Sequence, residues 1–285
     1  MDCPILVWML FLNREMTPEE YERCYQTMRQ CASHAQVPYA PANCFLLGQV
    51  IAHLLPCLMM RHRRIPRARW RDRVSPSGKR YIEQDVDTTA NPTQRLRAMI
   101  GYHLAYDNNL VGMVMTQGQM KDVINIGLGV KQLSVTPSDV SASTYAESLH
   151  HRLTPLELTF VAPSLGDEVV LRRLCLLLAL KQAYIKAIGQ PLGFDWARLE
   201  FDIPKEKVTG DGIPLQGWEF RVWQAQIGIE RNGEVVEESY QCALAFFRGT
   251  RESHFIWHKE REKLESWVQF INLDQLINVV PKLMD

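Results

Sequence analysis

The side chains of this chain best suited to chemistry are cations, an imidazole and phenols rather than clustered carboxylates. Lys181 and Lys186 stand five apart in the apolar stretch Leu178 to Gly189, Lys79 follows Ser77-Gly78, and Lys131 follows Gly127-Leu128-Gly129-Val130. Lysines so placed suit an oxyanion, a carboxylate or an enolate; as solvated positions on an amphipathic helix they would need no ligand at all. His103 and Tyr106 can donate or accept a proton if their surroundings shift their pKa values. As ordinary core or loop residues, they and Tyr102 would do neither.

The elements that must position these groups are legible from caps and periodicity. Ile5 to Leu12 reads as a buried strand. Thr17-Pro18-Glu19-Glu20 is a capped start for a helix through about Cys31, and Ala42 to Met60 reads as a second helix bent near Pro56. Ser75 to Arg80 is a turn, Glu83 to Arg95 reads as polar and irregular, and Leu110 to Met115 and Val123 to Leu128 read as strands. Leu133 to Ser148, rich in Ser, Thr and Pro, reads as a linker or mobile loop. Thr154-Pro155-Leu156-Glu157 opens another capped helix, and Asp167 to Ile188 gives a long one. Trp218 to Glu230, Glu234 to Glu238 and Tyr240 to Phe247 read as antiparallel strands, with Arg231-Asn232-Gly233 a hairpin turn. Ser253 to Asp285 alternates charged and apolar residues, as in an added amphipathic helix.

Composition narrows the class. A hydrophobic fraction of 46% is that of an ordinary globular protein with a packed core. Lys plus Arg and Asp plus Glu are equal at 32 each, so no strong overall field draws the molecule to nucleic acid or an anionic membrane. The seven arginines from Arg61 to Arg73 read as an anion-facing patch or a solvated loop, since no nucleic-acid motif accompanies them. Seven cysteines without C-x-x-C spacing argue against a disulfide framework or a zinc site and point to a reducing cytoplasm. The apolar start follows Asp2 rather than a basic segment and makes a poor signal peptide, and Leu46 to Met60, broken by His53 and Pro56, is short for a membrane span.

The stretch Leu178-Ala179-Leu180-Lys181-Gln182-Ala183-Tyr184-Ile185-Lys186, with Gly193-Phe194 and Leu199-Glu200-Phe201-Asp202 after it, resembles the W-x-x-K-E helix and the G-F…R-L-E-F-D continuation of the Sfp-type 4′-phosphopantetheinyl transferases, nearest their eukaryotic, lysine-pathway-like branch. Ser77 to Ile82 resembles the family's G-K-P motif, Tyr102 to Val111 its F-N-x-S-H segment, Gly127 to Lys131 its G-I-D-I-E strand, and Leu153 to Leu158 its F-T-x-x-E segment. The order holds from about residue 5 to 247. The resemblance implies an α+β fold of two pseudo-twofold-related α/β subdomains, residues 1–125 and 126–250, with 251–285 a helical extension and coenzyme A held in the cleft between the halves.

Against that pattern the metal site is degenerate. Where the family carries Mg²⁺-binding acids, this chain has Gly129, Lys131 and Gln182; magnesium wants hard oxygen ligands and usually one or two carboxylates. The F-N-x-S-H segment has become His103, Ala105 and Tyr106 at its polar positions, which weakens the implied contact to coenzyme A, while Lys79, Lys181 and Lys186 persist as candidate coenzyme-binding cations. The expectation is therefore a cytoplasmic, monomeric protein that has lost Mg²⁺-dependent transfer and uses no metal. Its first reading is a repurposed enzyme on a small molecule in the old cleft, possible in natural-product metabolism, with His103, Tyr106, Lys131 and Gln182 as catalytic groups. Two others stand beside it: a non-catalytic protein that binds a carrier protein, coenzyme A or a partner, and an active transferase using other carboxylates such as Asp107 or Asp122.

Overall fold

The computed structural model describes residues 4–85, 98–190 and 193–284, which mix helix and sheet in an α+β fold. It opens with β1 (Ile5–Phe11), an apolar strand buried along most of its length. In α1 (Pro18–Cys31), Thr17 and Glu20 form a reciprocal capping box, and Tyr21, Cys24, Tyr25, Met28 and Cys31 recur at helical spacing on the buried face. α2 (Cys44–His62), capped by Asn43, continues through Pro56 as one assigned helix. Its 19 residues have a mean hydropathy of 1.5, enough by length and composition alone for a membrane span, but 56% of the window is buried, with Val50, Ile51, Leu54 and Leu55 fully enclosed.

β2 (Trp70–Val74), β3 (Arg80–Gln84), β4 (Met99–Asp107) and β5 (Leu110–Gly118) follow as an antiparallel series. Glu83 and Gln84, read from sequence as irregular, belong to β3, and the rest of that segment lies outside the described residues. The strand expected from Val123 starts three residues late. Met120–Val123 instead forms a helical turn, α3, whose Val123 carbonyl sits so close to Gly101 that a Cβ there would lie 1.9 Å from the oxygen.

β6 (Ile126–Gln132) begins a second group of elements. The expected linker 133–148 ends in a helix, α4 (Ala142–Ser148), because Ser141 caps it. Then come α5 (Pro155–Phe160), α6 (Asp167–Ala187) and the short strands β7 (Leu199–Asp202), β8 (Lys207–Gly210) and β9 (Ile213–Pro214), which form their own sheet. β10 (Gln216–Arg231) turns through Asn232 and Gly233, both at positive φ as a type I′ hairpin requires, into β11 (Glu234–Glu252), one long strand where sequence suggested two. With β12 (His254–His258) they give a four-stranded sheet in the order β12-β10-β11-β6.

The expected C-terminal helix is absent over 253–284. After β12 come a short helix, α7 (Arg261–Glu265), the strand β13 (Val268–Asn272) and the short helix α8 (Leu273–Ile277). β13 pairs in parallel with β1, completing a six-stranded sheet in the order β13-β1-β5-β4-β3-β2. Charged residues do alternate with apolar ones here, but Val268, Phe270 and Ile271 fall in one β-favouring run, and the Asn272–Gln275 capping box starts a new helix directly after it. By contacts the chain divides into two compact units. The first is Met1–Asn125 with Ile227–Glu238 and Glu260–Asp285; the second is Ile126–Gln226 with Ser239–Lys259. The segment read as an extension is thus shared between both units.

Leu273, Leu276 and Val280 are enclosed in the same core as α1 and α2. Leu276→Ala should therefore cost about 2–5 kcal/mol, measured as a lower urea midpoint at unchanged slope; a surface-like loss of a few tenths would show that the tail only rests on the first unit.

Candidate functional site

In the second unit, α6 lies on β6 at backbone contact. Ala179, Ala183 and Ala187 recur every four residues on the helix, and Gly127 and Gly129 alternate on the strand, so no side chain stands between them. A Cβ at Gly129 would lie 2.0 Å from the Ala179 carbonyl oxygen, and one at Gly127 2.1 Å from that of Ala183. Gln182, the next helical residue facing β6, accepts a hydrogen bond from the Val130 N–H at 3.1 Å. β6 is an edge strand, so this amide oxygen satisfies backbone that the sheet leaves open. Lys131 follows on the same strand, and Lys186, four residues on from Gln182, shares its helix face; both are half-buried. Gly129 meets Ala179 while Gly127 meets Ala183 and Ala187, so strand and helix run antiparallel: Lys131 lies toward the start of α6, Lys186 toward its end, and Gln182 between them.

Lys181 does not join them. It is 0% exposed and meets Glu157, also 0% exposed, at 2.6 Å, and donates to the carbonyl oxygens of Arg152 and Trp196 at 2.8 and 2.9 Å. Its three N–H bonds have three acceptors, which corrects its assignment as a coenzyme-binding cation. Glu157 also accepts from the Thr154 and Phe201 N–H groups. Burial pushes Glu157 up and Lys181 down, each opposed by the partner's charge. Sequence reading saw Glu157 as a capping residue and as the acid of the F-T-x-x-E-like segment, but its pairing with Lys181 carries no local signal.

The remaining candidates belong to the first unit. His103 and Tyr106 are three apart on β4, and side chains alternate across a strand, so they project from opposite faces and do not form one catalytic pair. Tyr106 packs into the core edge to face with Phe45, 5.3 Å between centroids, and burial raises its pKa. Lys79 is buried in the β2–β3 turn, where its N–H donates to Ser75 Oγ. Asp107 ends β4 and Asp122 lies in α3, on different elements.

The arginine run is largely engaged within the fold. Arg73 pairs with Glu83 at 3.0 Å, Arg67 stacks over Trp70 while donating to its carbonyl oxygen, and Arg63 donates to Gln117. β2 also contributes to a polar cluster that sequence reading missed. Asp72 accepts from Arg80 at 2.8 Å and from Tyr102 at 3.0 Å, with His34 3.8 Å away and the His34 and His53 rings 5.6 Å apart. Burial, then the charge of Arg80, lowers His34 to about 4. Burial, then the charge of His34, lowers His53 to about 4. Burial raises Asp72 against the pull of Arg80.

Magnesium does not fit the positions at which the resemblance would place it. Gly129, Lys131 and Gln182 offer no carboxylate, an aspartate at 129 would strike the helix backbone, and the Gln182 oxygen is committed to Val130. Among the described residues no three of His, Cys, Asp and Glu gather into a metal-binding group.

Compared with known proteins, the chain is 30% identical over 181 residues to the 4′-phosphopantetheinyl transferase pptA of Paxillus involutus, an alignment covering 61% of this chain and 65% of the relative. The chain thus spans just under two thirds of the relative's length. No family model matches it.

Two outcomes follow. Lys181→Met, which leaves Glu157 charged and buried, should cost about 3–5 kcal/mol in chemical denaturation; an effect below about 1 kcal/mol would mean that water reaches the pair. The lowered histidine pKa values give stability that is full above their ordinary value and lost as pH falls from about 6.5 through 4. His53→Gln should flatten that decline in pH-dependent melting; an unchanged profile would assign it elsewhere.

Proposed function

We propose that the chain, similar to a 4′-phosphopantetheinyl transferase, belongs to that superfamily as a member without Mg²⁺-dependent transfer that keeps the fold to bind rather than to react. The observation that carries this reading is the contact at Gly129: the place of a metal-binding acid is closed by the Ala179 carbonyl. Lys131 and Lys186, on either side of Gln182 along β6 and α6, favour an extended anionic ligand, and the phosphates of coenzyme A or of a phosphopantetheine arm on a carrier protein meet that description.

A metal-independent enzyme on a small molecule, in natural-product metabolism or elsewhere, has less support. Of its four proposed catalytic groups, His103 and Tyr106 diverge and Gln182 already bonds to backbone. The third reading, an active transferase with other acids, would need Asp107 and Asp122 to act from separate elements. A cytoplasmic setting suits the six described cysteines, none of them in a disulfide, and a monomer is the form in which we place it.

The test is incubation of the purified chain with coenzyme A, Mg²⁺ and an apo carrier protein, read by intact mass. The expected result is no gain of the phosphopantetheine mass, together with saturable binding of coenzyme A or carrier by calorimetry that weakens in a Lys131→Ala, Lys186→Ala double variant. A time-dependent mass gain lost in Gln182→Ala would overturn the proposal.

A further inference from the structure

Cys31 ends α1 and Cys57 lies in the C-terminal half of α2, and in the first unit their thiols meet between the two helices. Cys57 donates its S–H to the Cys31 sulfur. Cys31 in turn lies 3.1 Å from Met284 Sδ, in the tail that follows α8. Both cysteines are buried, yet the pair is not sealed: Met284 is exposed, and Cys57 borders a cavity of about 300 Å³.

That cavity is lined by Arg61, Arg64 and Arg67 and by no carboxylate. Arg67, held 4.1 Å over the Trp70 ring, favours the charged form of either thiol. The hydrogen bond from Cys57 lowers the Cys31 pKa against the effect of burial, while the same bond, then burial, raises Cys57. One sulfur is thus the more acidic and its neighbour is the donor that stabilises it, an arrangement in which a thiolate forms at the first and the second stands ready to resolve it. The other described cysteines are placed differently. Burial, then the charge of Glu20, pushes Cys24 up to about 12; Cys175 donates to the Gln132 carbonyl oxygen at 3.4 Å, and Cys44 is exposed.

We propose that Cys31 and Cys57 are a modification site, a dithiol that hydrogen peroxide converts into a disulfide joining α1 to α2. The Cys31 thiolate attacks one peroxide oxygen, the O–O bond breaks, and the departing hydroxide takes up the thiol proton as water, leaving a sulfenic acid. Cys57, losing its proton, attacks that sulfur and expels the hydroxyl group as a second water. Two thiols and one peroxide thus give one disulfide and two waters, with sulfur oxidised and oxygen reduced. Sulfurs already in hydrogen-bond contact need to close by only about 2 Å to reach bonding distance.

The test treats the reduced full chain with a slight molar excess of hydrogen peroxide, blocks free thiols with iodoacetamide under unfolding conditions, then reduces the chain and labels it with N-ethylmaleimide. Labels are located by mass spectrometry after chymotryptic cleavage, which separates Cys44 from the other two. The expected result is maleimide on Cys31 and Cys57 in equal amounts, with Cys24, Cys44, Cys175 and Cys242 carrying the first reagent. The oxidised form should melt several degrees higher, reversibly on reduction, because the link restrains the unfolded chain. Arg67→Gln should slow the reaction severalfold and Arg67→Lys should restore most of the rate, which a purely structural role of Arg67 would not reproduce. Maleimide on Cys44 ahead of the pair, label spread over all the buried cysteines, sulfinic acid on Cys31 with Cys57 still reduced, or equal rates in the parent and a folded Arg67→Gln variant would each overturn the assignment.

Discussion

A single buried ion pair organises the second unit. Lys181 reaches from α6 to Glu157 on α5, and through its other two hydrogens to the backbone at Arg152 and Trp196; Glu157 in turn holds the N–H of Phe201 on β7. Three separate stretches of chain, around 152–157, 181 and 196–201, meet on two side chains. Removing two charges from water is expensive, and such a pair persists only when every remaining donor and acceptor is met. Here they are met, so the pair fixes where the long helix lies, and with it the face that Ala179, Ala183 and Ala187 turn to β6.

Once the helix is fixed, the glycines on the strand follow from geometry. Backbone contact leaves no volume at 127 or 129 for a side chain, and the helix brings Gln182 against the open edge of β6, where its oxygen answers Val130. The same contact that makes the packing tight leaves no room for a carboxylate at position 129.

Local signals in the sequence were dependable where the physics is local. The Thr17–Glu20 and Thr154–Glu157 capping boxes, the Asn232-Gly233 turn and the long apolar helix all depend on residues within a few positions of one another. What could not be read were pairings across distance: the partner of Lys181 is 24 positions upstream, and Asp72 gathers groups from residue 34 to 102. The divergence of His103 and Tyr106 was readable, since three steps along a strand reverse the face, but the motif drew the eye to their spacing in sequence instead. β13 escaped because its short β-favouring run sits among charges that suggest a helix.

The place of β13 also orders events in time. The strand that flanks β1 on its other side comes far downstream in the chain, so during synthesis β1 can pair only with β5 and keeps one row of backbone groups open until β13 has been made. Every residue of the second unit has by then been added, its last segment ending at Lys259. An open, apolar edge of this kind is the part of a nascent chain most prone to pair with a neighbour. The half of the protein that is started first is therefore the half whose sheet is closed last, and it is the one that stands to gain from protection by chaperones while it waits.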